Sequence, residues 1–317
     1  MLAPISSEEV TLAVLNYNGR ELLPLVLASI ARQTTQGFQL NVLDDASSDD
    51  SLRYLAEEWP AVRVLPSDQN IGITATMARA VATATTCYVA ILNNDLELDP
   101  HWLEEMLTTL AHHPEAAAAD GKMLSFHRRS ELDGAGDSMQ RNGYPRRRGQ
   151  GEIDRGQYDS PSEVFSATGG AALFRRSAFA VVGPFDKDLG AYYEDVDWGF
   201  RARLQGMTVR YAPRAVSYHM GSATTGRDPG RYAAMIVRNQ LIVMLKNFPA
   251  ALLVKHLPRI LYFQLKWAAF DAVHGLGRPH AEGLLAALRT LPTTLRKRRE
   301  IQRARTASAS ELERVFT

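Results

Sequence analysis

One pattern of apolar and polar positions repeats across the first hundred residues. TLAVLNYN is an apolar run that ends in polar residues and predicts a strand. Behind it, Leu22, Leu25, Val26, Ser29 and Ile30 recur at helical spacing. FQLNVLDDASSDD predicts a second strand ending at Asp44 and Asp45, and SLRYLAEEW a short helix. VRVLPSDQN predicts a third strand, residues 72–86 a helix, and YVAILNNDLELDP a fourth strand. HWLEEMLTTLAHHP then predicts a helix after Pro100, with acids in its first turns where the helix dipole favours them.

Strands alternating with helices at this spacing predict an α/β fold with a mainly parallel sheet and helices on both faces. Ligands of such sheets bind beyond the carboxyl ends of the strands. Each of the four runs ends in polar residues: Asn16 and Asn18, Asp44 and Asp45, Asp68 and Asn70, and Asn93 to Asp95. The fold would gather these ends on one edge. Neither usual glycine-rich phosphate cradle is present in the sequence. Acids and amides suit a phosphate only with a divalent cation between them, and Mg²⁺ or Mn²⁺ prefers oxygen ligands. The competing reading is that Asp, Asn and Ser make turns and helix caps.

Residues 121–165, rich in Gly, Arg and polar residues, read as a long, partly mobile segment after a strand at GKMLSF. Arg146, Arg147 and Arg148 read either as a solvated charge run or as contacts for a diphosphate. SATGGAALF places paired glycines, Gly169 and Gly170, before an apolar strand, where backbone can approach a ligand closely. EDVDWGFRARLQG predicts a helix from Val196, Phe200 and Leu204, with Arg201 and Arg203 off that stripe and Gly206 ending it. Glu194 and Asp195 fall at its N-terminus, where the dipole favours ionised carboxylates suited to act as a base or, equally, as a cap. TVRYAPRAVSYH predicts a strand ending at His219, a structural or a metal-ligating imidazole.

Composition narrows the partners. The chain has 317 residues, 45% of them hydrophobic, with a formal net charge of +1, which gives no general argument for nucleic acid. A single cysteine, Cys87, excludes a disulfide framework and reads as a buried small residue opening the fourth strand. The N-terminus has no basic or long apolar stretch, so no signal peptide and no spanning helix are expected, and the expected location is the cytoplasm. Residues 250–273 are apolar with Lys255, Arg259 and Lys266 on one helical face, and Pro258 is expected to start a new turn or kink the helix. LRKRREIQRAR is strongly basic. These features suit peripheral contact with an anionic membrane through residues 250–306, or packing on the rest of the protein or on a second copy.

The ordered set VLNYNG, LDDASSDDS, NIGITAT, LNNDLELDP, ATGGAALFRR and GPFDKDLGAYYEDVDWGFRARLQG, then a strand to His219, resembles family 2 glycosyltransferases of the GT-A fold over about residues 10–248. RNQLIVMLKNFP is similar to the rhamnosyltransferase-like branch. The resemblance implies a Rossmann-like catalytic domain over 1–235, its nucleotide-sugar half about 10–120 and acceptor half about 121–235, and a C-terminal helical extension over 236–317. It implies transfer of a sugar, with dTDP-rhamnose as first expectation, from a nucleotide diphosphate to a glycan or lipid-linked acceptor, with inversion. Asp195 is the implied general base beside Glu194. Asn16, Asn18, Asp44, Asp45, Asn70, Gly72, Asn93 and Asn94 are the implied donor-binding set, and Gly169 and Gly170 the acceptor side. Asp95, the last acid of a D-x-D motif that here reads Asn93-Asn94-Asp95, is the implied ligand of Mg²⁺ or Mn²⁺, with His219 a second. Trp198 stands where Leu is usual, and Met77 and Ala78 where Asn is frequent. A sugar nucleotidyltransferase would need a basic glycine-rich N-terminal loop that YNGREL is not, and the shortened D-x-D motif leaves room for an inactive binding protein.

Overall fold

The computed structural model describes residues 5–221 and 228–317. The leader expectation falls partly on residues 1–4, which lie outside the described residues. The first half follows the predicted alternation: β1 (Val10–Asn16), α1 (Leu23–Ala31), β2 (Gln39–Asp44), α2 (Ser51–Glu58), β3 (Arg63–Pro66), α3 (Ile73–Thr83) and β4 (Tyr88–Asn93). β1 lies between β2 and β4 and runs parallel to both, while β3 extends the sheet parallel to β2. Every residue of β1 is buried, as a strand covered on both faces requires.

The second half reverses direction. β5 (Leu96–Leu98), α4 (Trp102–His112), β6 (Ala116–Ser125), β7 (Leu132–Gly134), β8 (Asp137–Met139), β9 (Pro145–Arg147), β10 (Ser162–Val164), β11 (Ala171–Arg175), α5 (Ala178–Val182), α6 (Glu194–Leu204) and β12 (Thr208–His219) follow. The main sheet runs β10-β12-β6-β11-β4-β1-β2-β3, with β11 antiparallel to both β4 and β6. Five helices complete the chain: α7 (Pro229–Asn247), α8 (Ala250–Val273), α9 (Gly277–Arg289), α10 (Leu291–Ala304) and α11 (Ala309–Arg314).

Several expectations are corrected. The segment expected to be mobile is built of short strands: β7 pairs with β6, β8 with β9, and β10 with β12. Strands of three residues are too short to show alternation, and positive-φ glycines such as Gly136, Gly143 and Gly149 make the tight turns around them. YVAILNNDLELDP is two strands, because β5 turns away to pair antiparallel with β12. Cys87 is exposed, since β4 begins one residue later. Of the two expectations for Pro258, a fresh start is excluded because α8 runs through it, and the carbonyl that a proline there cannot bond belongs to Val254, on the solvent side. α6 is buried on nearly every side, not along one stripe. Arg203 donates to the Phe165 and Val164 carbonyls and pairs with Glu163, while Arg201 pairs with Asp197 and reaches the Val182 and Pro184 carbonyls.

The C-terminal helices are joined to this frame by buried charge. Lys246 of α7, 1% exposed, pairs with Asp186 and lies 2.7 Å from Asp197, which is fully buried. Asn247 Nδ2 donates to Asp197 at 2.7 Å, and Lys297 of α10 pairs with Asp186 and Asp188. Arg298 donates to the Leu245 and Phe248 carbonyls at the end of α7. Two cations of the basic run are therefore spent inside the protein. Burial pushes Asp186 and Asp197 up, but Lys246 and its fellow cations outweigh it and hold both below the ordinary aspartate value. Replacing Lys246 by Met leaves these carboxylates short of a buried partner and should destabilise the protein by about 3–5 kcal/mol in urea unfolding. Because their folded values lie below the unfolded one, their stabilisation is present above the ordinary aspartate value of 3.8 and is lost as pH falls below it.

Candidate active site

The parallel pairing brings the polar strand ends together. Asn16, at the end of β1, donates from Nδ2 to Asp44 Oδ2 at 2.8 Å and to Ser47 Oγ at 3.2 Å. Its Oδ1 accepts from Asn94 Nδ2 at 2.9 Å, so the first, second and fourth strand ends interlock through side chains. A Cβ on Gly19 would collide with Asn94 and Asn16, which is why glycine fits there. Asp44 also accepts from the Ser47 N–H and hydroxyl. Asp45 receives the Ile71 and Gly72 N–H groups at 2.8 and 2.9 Å, pinning the entry to α3, where Gly72 has a φ of 83°. Asn18, left-handed at φ 49°, accepts from Ser48 N–H at 2.7 Å. Asn70 is exposed on the loop that carries Gly72. Glu97 and Asp99 stand apart: Glu97 pairs with Arg129 and Arg32, and Asp99 accepts the His101 N–H before α4.

Asp95 and His219 meet at the other side of this edge. His219 Nε2 lies 3.2 Å from Asp95 Oδ2 and its Nδ1 lies 2.8 Å from Asp133 Oδ2. Burial pulls the imidazole down, but the two carboxylates raise it further, to about 9. Asp95 Oδ1 is a buried oxygen with no hydrogen-bond partner. An unsatisfied carboxylate oxygen fits a divalent cation, with oxygens supplied by a diphosphate, and the imidazole would join it only once the cation displaced the proton that its two carboxylates favour. No cluster of three or more His, Cys, Asp or Glu suited to a metal occurs among the described residues, so the protein alone would supply only part of a coordination shell. Oxygen donors of this kind suit Mg²⁺ or Mn²⁺.

Two glycines separate this corner from Asp195. The Asn93 N–H donates to the Gly170 carbonyl at 2.8 Å, and a Cβ on Gly170 would stand 3.2 Å from Asn93 Nδ2. The Gly169 N–H donates to Asp195 Oδ2 at 2.9 Å, and the Val196 N–H to Asp195 Oδ1 at 2.7 Å. Both carboxylate oxygens are thus oriented by backbone, and the side chain remains half-buried, not sealed. Tyr192 and Tyr193, just before Glu194, are both left-handed, at φ 66° and 68°. Asn239 of α7 stabilises that backbone by donating to the Leu189, Ala191 and Tyr192 carbonyls. Non-glycine residues in this region are strained and persist only where surrounding structure fixes them.

Glu194 departs from the sequence expectation. Burial, reinforced by the neighbouring Asp195, pushes its carboxyl up to about 8, so it is held protonated at neutral pH. Desolvation outweighs the helix terminus here. The arginine run is likewise neither solvated as a whole nor free for a ligand. Arg147 is half-buried between Asp133, at 3.3 Å, and Asp137, at 3.9 Å. Arg148 stacks between the rings of Tyr158 and Tyr211, and only Arg146 faces solvent. Strand alternation in β9 separates Arg146 from Arg147, and Arg148 follows the end of that strand.

Sequence reasoning missed Asp120, Asp133 and Asp137. Asp120 accepts from the Thr168 N–H and hydroxyl beside the glycine pair, and burial, then Asp137, raises it to about 7. Asp137 is raised to about 6 by burial and by Asp195, against Arg147. Their signal was an acid inside the alanine run AAAADG and a pair of acids spaced by glycines in DGAGD. The substitutions at Trp198 and Met77 also resolve. Trp198 packs on Phe174 and Phe179 with its Nε1 donating to the Gly183 carbonyl, so it serves the core. Met77 is buried with its Cε 3.0 Å from where a Gly169 Cβ would stand, against the backbone of the glycine pair.

The model of glycosyl transferase family 2 matches residues 11–183, over half of the chain. An N-acetylglucosaminyl-diphospho-decaprenol L-rhamnosyltransferase of Mycobacterium tuberculosis is 28% identical over 240 residues, covering 69% of this chain and 78% of that protein. GalNAc-T7, solved with UDP, GalNAc and Mn²⁺, aligns with a TM-score of 0.62 at 13% identity over 78% of this chain and 49% of that one, so the chain spans about half of its length. The mannosyltransferase PcManGT of Pyrobaculum calidifontis, solved with GDP-Man and Mn²⁺, aligns with a TM-score of 0.55 at 18% identity over 99% of this chain and 81% of that one. These likenesses show the GT-A fold, and with the family match they make this chain a glycosyltransferase that belongs to glycosyl transferase family 2.

Proposed function

We propose that the chain is an inverting enzyme that moves rhamnose from dTDP-rhamnose to a hydroxyl of a lipid-linked glycan. The observation that carries this reading is the short bridge between its two halves: Asn93, Gly170, Gly169 and Asp195 are joined by successive backbone contacts. A donor at the strand ends and an acceptor over the glycines would then meet beside one carboxylate. The Mycobacterium relative, whose name pairs rhamnose with a diphospho-decaprenol acceptor, supports the choice of donor and acceptor.

Asp195 takes the proton of the acceptor hydroxyl as that oxygen attacks the anomeric carbon from the side opposite the diphosphate. The new C–O bond forms as the bond to the phosphate oxygen breaks, and the nucleoside diphosphate leaves with the electron pair. Gly169 and Val196 N–H groups hold the Asp195 oxygens in place without filling all their lone pairs. Glu194, held neutral, adds no second negative charge at the base. When bound at Asp95 and His219, a Mg²⁺ or Mn²⁺ ion offsets charge on the leaving diphosphate. No described helix is long and apolar enough to cross a membrane. α8 instead exposes Val254, Leu257, Leu261 and Leu265 beside Lys255 and Arg259, which supports peripheral contact with an anionic membrane face, in this reading the cytoplasmic one.

Asp195→Asn should lower transfer by about 10²- to 10⁴-fold while donor binding, read by calorimetry, stays near wild type. An active Asp195→Asn enzyme would sink the assignment. Chelation should suppress nucleotide release, with Mg²⁺ or Mn²⁺ restoring it in the wild type and far less in Asp95→Asn. The Glu194 carboxyl has a folded value of about 8 against an ordinary glutamate value of 4.5, so its stabilisation is complete below 4.5 and is lost as pH rises towards 8. Glu194→Gln should therefore flatten the fall of unfolding free energy between about pH 5 and 8 by up to about 1.4 kcal/mol per pH unit.

A further inference from the structure

A cleft of about 740 Å³ opens between the turn joining β8 to β9 and the outer side of α8. Arg141 enters it from the turn, and Arg259 and Lys266 from α8. None of the three is in an ion pair among the described residues, whereas the neighbouring Lys255 is paired with Glu313. No Asp or Glu side chain lines the cleft among the described residues, and the Arg141 N–H donates to a main-chain oxygen of Thr317. Three cations with no acidic side chain among the lining residues make a site for an anion carrying more than one charge.

The rest of the wall is aromatic. Tyr144, Phe263 and Trp267 form a ring cluster with centroids 5.1 to 5.7 Å apart. On the outer side, Tyr262 and Phe270 are more than half exposed and continue into the apolar face of α8. On the inner side, Tyr144 neighbours Tyr193, the residue before Glu194 and Asp195. Tyr144 thus stands between the loop that carries the proposed base and the cations and exposed apolar side chains of the cleft.

We propose that this cleft seats the diphosphate of a polyprenyl diphosphate-linked acceptor, with its first isoprene units on the rings of α8. The order of groups on the surface is the order of groups on such a molecule: sugar hydroxyl, diphosphate, hydrocarbon. This rests on the lipid-linked acceptor of the proposed function, and it adds the residues that read the link between sugar and lipid. The volume is within the usual range of small-molecule sites, roughly 300–1,000 Å³. Arg141 and Arg259 can engage phosphate oxygens in a bidentate manner, and Lys266 adds a point charge.

The test is calorimetric binding of farnesyl diphosphate to the full chain, compared with inorganic pyrophosphate and with farnesol in detergent micelles. The unaltered chain should bind farnesyl diphosphate at least about 10-fold more tightly than either fragment, because both halves of the cleft are engaged. Arg259→Ala combined with Lys266→Ala, both at exposed positions, should weaken it about 10-fold or more, and Trp267→Ala should weaken it without changing pyrophosphate binding. No binding by the unaltered chain, or equal binding by the double variant, overturns the proposal. So does pyrophosphate binding as tightly as the farnesyl compound. If the double variant loses only binding to phosphatidylglycerol vesicles, the cations serve a general membrane contact and the cleft is not a diphosphate site. A chain that binds the probe in this pattern but releases no nucleotide from any nucleotide sugar sinks the proposed activity and leaves the cleft standing.

Discussion

The site depends on one pairing: β1 runs parallel to β2 on one side and to β4 on the other. Parallel register levels the three strand ends, so each chain must turn at the same edge. The turning residues are then close enough that their side chains, not water, satisfy one another. Asn16 is the centre of this arrangement, giving to Asp44 and receiving from Asn94. A polar cluster this buried is stable only if every member is paired, which makes the edge rigid before any ligand arrives. Asp95 is the exception, with one oxygen left open at the point where β4 gives way to β5.

The part of the site around Asp195 is held differently. Its backbone is bent into left-handed geometry at Tyr192 and Tyr193, and the restraint comes from far along the chain. Asn239 holds the carbonyls of the loop, and Lys246 and Asn247 hold Asp197 within α6. Asp197 faces inward on the same helix whose first turn presents Asp195 to the glycine pair. The helix is thus locked at one side by buried charge and aimed at the other by backbone donors. Around it, Arg147 lies among Asp133, Asp137, Asp120 and Asp195, a single guanidinium shared by several carboxylates. Burial pulls that cation down, and the acids keep it charged.

The alternation of strands and helices was legible because long apolar runs with polar ends have few other readings. Asn16, Asp44, Asp45 and Asn94 stood out for the same reason, each ending or following a run. Asp133 and Asp137 did not, because β7 and β8 are three residues long and their pattern is indistinguishable from loop. The protonated state of Glu194 was illegible for another reason. A helix N-terminus can be read from sequence, but the burial that reverses its effect is a property of packing. The same holds for Arg147, Lys246 and Lys297, which look like surface charge until the carboxylates around them are seen.

The clamp at Asn239 bears on what counts as the minimal working unit of this protein. The segment matched by the family model ends at residue 183, short of the glycine-tethered Asp195 and well short of α7. A fragment cut to that match would keep the strand-end cradle yet lack both the proposed base and the amide that stabilises its approach. The strand-end cradle and the loop that carries Asp195 are therefore separable along the chain, and the helices that look like an appendage belong with the second.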